Sequence, residues 1–215
     1  MDNIENKTYF QMGVSRATGR CLAWPSWTRD RWGFCARMVT GFHRRNGVAM
    51  ARLKHTLIHH LTQLKTMMTR MPASALPCSL APDMFSLEKH AKVAANFALR
   101  GYCPLLGVAT VSFYNDKEGK QAVLSQIEAT LAYLAAAPEI EGYQDQRQIT
   151  DTAGLIDVTL CESEFIERFI LPNLLFHMGM VYAIGKTQGV SLSKGDFDGF
   201  HHYPPGFCFS QVSQA

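Results

Sequence analysis

The stretch from Cys161 to Gly189, CESEFIERFILPNLLFHMGMVYAIGKTQG, constrains the fold more than any other part of the chain. It is the longest segment with apolar residues at helical spacing, and a helix of that length needs neighbours to cover its apolar stripe. Ser163 reads as its N-cap, Glu162, Glu164 and Glu167 stand near its start, Lys186 falls in its last turn and Gly189 closes it. That order of charges and caps suits a helix dipole. Glu167, Arg168, Pro172, Asn173 and His177 interrupt the apolar run, so the segment reads as a core helix and not as a membrane span.

Three further helices are legible upstream. Leu53, Leu57, Leu61, Leu64, Met68 and Met71 recur at helical spacing, and the spacing predicts an amphipathic helix over 50–71, ended by Pro72. A second helix is predicted over about 84–100, with Asp83 as N-cap, Leu87, Ala91, Ala94 and Phe97 on one face, and Gly101 as C-cap. A third, over about 117–136, is capped by Asp116 and carries Leu124, Ile127, Leu131 and Leu134. The run GVATVSFY between them reads as a short strand or a packed loop. Before the last helix, β-type composition in 148–150 and 155–160 flanks Thr152-Ala153-Gly154 and predicts a small hairpin. The fold class is therefore all-α: a four-helix bundle with a small β-hairpin ahead of its last helix.

The chain divides by composition. Residues 1–49 hold eight Lys and Arg against three Asp and Glu, together with all three Trp (Trp24, Trp27, Trp32). No helical or strand period persists there. This basic leader is expected to lie outside the core, as a disordered arm, a targeting segment, or sequence upstream of a start at Met50. The bundle is expected over 50–200 and an irregular tail over 201–215. A net charge of +3 is too small to argue for nucleic acid, and no apolar span argues for a membrane. The six Cys lack zinc-ribbon or redox spacing and suit buried, reduced thiols in a cytoplasmic protein. Phosphate-binding glycine loops and the Gly-x-Ser-x-Gly elbow are absent.

The order of helices with APDMF (81–85), LPN…FH (171–177) and GV-x-L-x-K-x-DF (189–197) resembles an uncharacterised domain-of-unknown-function family in the DinB/YfiT-like superfamily of helical bundles. The resemblance covers about 50–200. It implies a divalent metal such as zinc or nickel held by three His, one on the second helix and an His-x-x-x-His pair on the fourth. It also implies a low-molecular-weight thiol or other small molecule as ligand, and it allows a homodimer. Carried over by position, His90 and His177 are the metal ligands, but the residue four beyond His177 is Val181, and four before it is Asn173. Valine cannot ligate and asparagine is a poor ligand for zinc or nickel, so the triad is incomplete.

Read on their own, Asn173 and His177 share one helix face with Ile170, Val181 and Ile184. Pro172 withholds a backbone donor, leaving the Arg168 carbonyl without its usual partner. Three uses of this spot compete. Asn173 and His177 satisfy each other or the freed carbonyl; they line a small-molecule pocket, with Tyr182 beside it; or His90 and His177 hold a metal with Asn173, His60 or an acid as third ligand. Function thus divides between a small-molecule-binding or metal-dependent thiol-transferase-type protein and a non-catalytic ligand-binding or dimerisation bundle. Whether the chain is an enzyme stays open at this level.

Overall fold

The computed structural model describes residues 46–204 and Phe207. In chain order these form α1 (Asn46–Arg70), α2 (Leu87–Leu105), α3 (Lys120–Ala136), β1 (Gln148–Ala153), β2 (Ile156–Cys161), the single turn α4 (Glu162–Glu164), a π-helical segment (Phe165–Ile170), α5 (Leu171–Thr187) and the short α6 (Lys194–Asp198). Four long helices make the bundle, and the antiparallel hairpin stands before the last of them, as the periodicities predict. The basic, Trp-rich leader up to residue 45 and the tail beyond Phe207 lie outside the described residues.

The predicted stripe of α1 is the heart of the core. Leu53, Leu57, Leu61, Leu64, Met68 and Met71 are all buried, because residues at i, i+4 and i+7 of one helix share a face. α3 packs on α1 and α2, while α2 and α5 form the most extensive helix pair. On α3 the buried face is Val123, Gln126, Ile127, Thr130 and Leu134, rotated from the predicted stripe so that Leu124 and Leu131 sit at its margin. Gln126 and Thr130 enter this face because each finds a carbonyl: Gln126 donates to Lys92 at 2.9 Å and Thr130 to Gln126 at 2.8 Å.

Several helix ends differ from the sequence expectation. α2 starts at Leu87 with Ser86 as N-cap, whose hydroxyl accepts the Lys89 N–H; Asp83 stays in the preceding loop. α3 starts after Gly119, at φ 96°, and the Glu88 carboxylate accepts the Gly119 N–H. Asp116 is not its cap. The first turn of the last helix begins after Cys161, and the Asp145 carboxylate accepts the Ser163 N–H, so Ser163 is capped and does not cap. The ends of α3 and α4 are closed by groups distant in sequence, which local cap signals cannot reveal, whereas Ser86 is a local cap three residues beyond Asp83. The run GVATVSFY is a loop. Gly154, at φ 66°, opens the two-residue hairpin loop. Gly189 ends α5 at φ 76° as predicted, with the Val190 N–H returning to the Gly185 carbonyl.

Gly101 is the most informative of these differences. The expected C-cap lies inside α2, which continues to Leu105. A Cβ at this position would stand 2.6 Å from Ile170 Cγ2 and 3.3 Å from Ile166 Cδ1. Glycine therefore lets α2 approach the π-helical segment closely. Ile170 is fully buried and β-branched, so it cannot rotate away cheaply. Gly101→Ala sets a helix-propensity gain of about 1 kcal/mol against an overpacking cost of about 1–3 kcal/mol. The overlap is expected to win, with a net loss of about 1 kcal/mol in urea unfolding, and Gly101→Val should lose more. Combining Gly101→Ala with Ile170→Ala should give a loss well below the sum of the two single variants.

Candidate functional site

His90 from α2 and His177 from α5 meet across the principal helix pair. Their Nδ1 atoms lie 2.8 Å apart and their ring centroids 5.0 Å apart. The residues are 2% and 8% exposed. A hydrogen bond between two imidazole nitrogens needs one to carry the proton and the other a lone pair, so a doubly protonated pair cannot form it. Burial holds His90 below the usual imidazole range. Burial, and then the charge of His90, push His177 down to about 4. The pair is uncharged at neutral pH.

Aromatic rings wall this pair. Phe97 and Phe85 lie nearly parallel to the His177 ring, with centroids at 5.8 and 6.5 Å. Phe85 and Phe176 stand edge-on to His90 at 5.7 and 6.1 Å. Phe97 is buried, while Phe85 and Phe176 are about half exposed and form a rim. Arg100 lays its guanidinium over the Phe97 ring, 4.7 Å from the centroid, and pairs with Asp151 of β1 at 2.8 Å. The hairpin is thereby fastened beside the site. His90 Nε2 is buried and has no hydrogen-bond partner among the described residues. A buried ring nitrogen left unpaired beside a half-exposed aromatic rim is an open polar position.

The predicted site residues separate. His90 and His177 come together. Asn173 does not bond His177; its amide donates to the Phe169 carbonyl at 2.7 Å. Asn173 thus serves the helix backbone where the regular ladder is disturbed, just after the π-helical segment and Pro172. Tyr182 is placed elsewhere, edge-on to Phe197 of α6 at 6.2 Å, where burial raises its hydroxyl. His60 stays on α1, edge-on to His59. The rim residues were partly readable: Phe97 follows His90 by two helical turns, and Phe176 precedes His177. Phe85 reaches the site from a loop, for which no periodic signal exists.

The implied divalent metal does not fit these residues. Protein zinc sites take three or four ligands. Here the two imidazoles hydrogen-bond to each other and the third position is the buried Val181. Among the described residues no group of three or more His, Cys, Asp or Glu is placed to hold a metal ion.

A family model described as "Domain of unknown function (DUF1993)" matches residues 43–198. Among solved structures, the chain is similar to a DinB family member protein from Shewanella denitrificans. The TM-score is 0.62 and the identity 23%, covering 74% of this chain and 96% of that one. At that identity the likeness is one of fold. No curated protein matches the chain. No helix among the described residues is long and apolar enough to cross a membrane.

The low value of His177 has a consequence for stability. Its folded value lies below the ordinary 6.5, so the unfolded chain binds the proton more tightly. The stabilisation is complete above about pH 6.5 and is lost as the pH falls towards 4. After screening, the span is on the order of 1–3 kcal/mol. Urea unfolding should show lower stability at pH 4.5 than at pH 7, and His177→Gln should reduce the dependence.

Proposed function

The chain belongs to the DUF1993 family, on a DinB-like helical-bundle fold, and from that premise we propose that it is a small-molecule-binding bundle with a degenerate metal site. The single observation that carries this reading is the His90–His177 bond. It spends on each other the two nitrogens that face across the helix pair, and it leaves His90 Nε2 as the free polar atom of an aromatic mouth. A neutral imidazole nitrogen both donates and accepts according to tautomer, so the pair can present either role to a ligand without acquiring a charge. Phe85 and Phe176 supply apolar surface at the rim, and an apolar ring with one hydrogen-bonding heteroatom is the matching ligand chemistry. Metal-dependent thiol transfer is not part of this proposal, because the third ligand position is Val181.

Two measurements test it. In the first, the protein is loaded with zinc or nickel, desalted and assayed for metal. The wild type should retain clearly less than one equivalent. Val181→His, which restores an imidazole one turn beyond His177, should retain about one, and should lose it again with His90→Ala. One equivalent retained by the wild type and lost in His177→Ala overturns the degenerate-site reading. In the second, 4-phenylimidazole is titrated in by NMR. It should shift the ring signals of His90, Phe85 and Phe176, and Phe176→Ala should weaken binding by about tenfold. A wild type that shows no saturable shift overturns the ligand-binding role.

A further inference from the structure

A cleft of about 730 Å³ is lined by the start of α2, the turn after α1 and the loop leading into α3. That volume lies within the range of small-molecule sites. Neither His90 nor His177 lines it. Lys92 is 4% exposed and helps to line it. Its ammonium donates to the carbonyls of Asn115, at 3.2 Å, and Lys117, and pairs with Glu88 at 3.0 Å. Glu88 also accepts the Gly119 N–H at 3.1 Å. Lys92 and Glu88 therefore neutralise one another and tie the α3 approach to α2. Leu76 and Pro77 add an apolar wall.

Three charges in the cleft remain unmatched. The Lys89 ammonium donates to the Tyr114 hydroxyl and lies 4.7 Å from that ring's centroid. Among the described residues it has no carboxylate within ion-pairing distance, and Asp116 and Glu118 have no cation. The Tyr114 hydroxyl accepts from Lys89, which leaves its own proton free to donate. An ammonium with a phenol beside it suits a carboxylate, and two carboxylates suit an ammonium. A simple anion would meet the two acids, and a simple cation would meet Lys89. A molecule carrying both signs finds a partner for each of them.

We propose that this cleft binds a small zwitterion with an apolar side chain, of amino-acid or dipeptide size. Lys89 and Tyr114 take its carboxylate, Asp116 and Glu118 take its ammonium, and the side chain rests on Leu76 and Pro77. The site is separate from the histidine pair and does not rest on the role proposed for it.

The test is a titration of the full chain with L-leucine and L-leucyl-L-leucine, read by amide NMR signals of Lys89 and residues 114–119. N-acetyl-leucine, which lacks the ammonium, and leucinamide, which lacks the carboxylate, are the control ligands. At least one zwitterion should give saturable shifts below about 10 mM, with both blocked forms weaker by about tenfold or more. Lys89→Met and the double variant Asp116→Asn/Glu118→Gln should each weaken binding to a similar extent. His90→Ala should leave it unchanged. Melting temperatures of the cleft variants should stay close to wild type, because none of the three residues is in an ion pair among the described residues. The proposal is overturned if neither zwitterion saturates, if a blocked form binds equally well, or if the folded cleft variants bind as the wild type does.

Discussion

The close approach of α2 to the last long helix is the constraint on which this structure depends. Gly101 removes the one side chain that would hold α2 away from Ile166 and Ile170. With the helices that near, His90 and His177 come within hydrogen-bonding distance and can be buried without charge. Burying one imidazole alone would leave its Nδ1 unpaired, at a cost of about 1–3 kcal/mol. The two rings answer each other through their Nδ1 atoms, further along the same helix pair that Gly101 lets approach closely. The same approach brings Arg100 over Phe97 while it reaches Asp151, so the hairpin is fastened to the helix pair by the packing that forms the site.

A tripod of imidazoles and a pair of imidazoles have different chemistry on the same scaffold. Three ligands can enclose a cation and repay the cost of orienting them. Two that face one another close on themselves and share a proton. Val181, one turn beyond His177, adds apolar volume that is fully buried. The result is a neutral polar spot beside an aromatic wall.

Hydrophobic periodicity made the bundle readable in advance. The α1 stripe, the Gly189 stop and the hairpin are local patterns, and local patterns survive in sequence form. The helix starts are less legible: α2 has a second local candidate in Ser86, and α3 and α4 are closed from elsewhere in the chain. Asp83, Asp116 and Ser163 are all good caps by residue type, yet the N–H groups at those ends are taken by Ser86, Glu88 and Asp145. Which of several suitable oxygens reaches a helix end depends on how the chain folds back.

The candidate site divides along the same line. That His90 and His177 belong together followed from their place in a family-like pattern, and the gap at Val181 was visible four residues along the helix. Asn173 and Tyr182 looked like their companions because helical spacing put them nearby. The structure sends Asn173 to the Phe169 carbonyl and Tyr182 to Phe197. The unmatched charges around Tyr114 lie in two separate stretches, the start of α2 and the loop before α3, and only folding gathers them into one cleft. By itself the sequence determined which residues are apolar at helical spacing, and hence the bundle. The tertiary structure decided which polar groups meet, because a hydrogen bond needs its two atoms within about 3 Å and spacing along a chain does not set that distance.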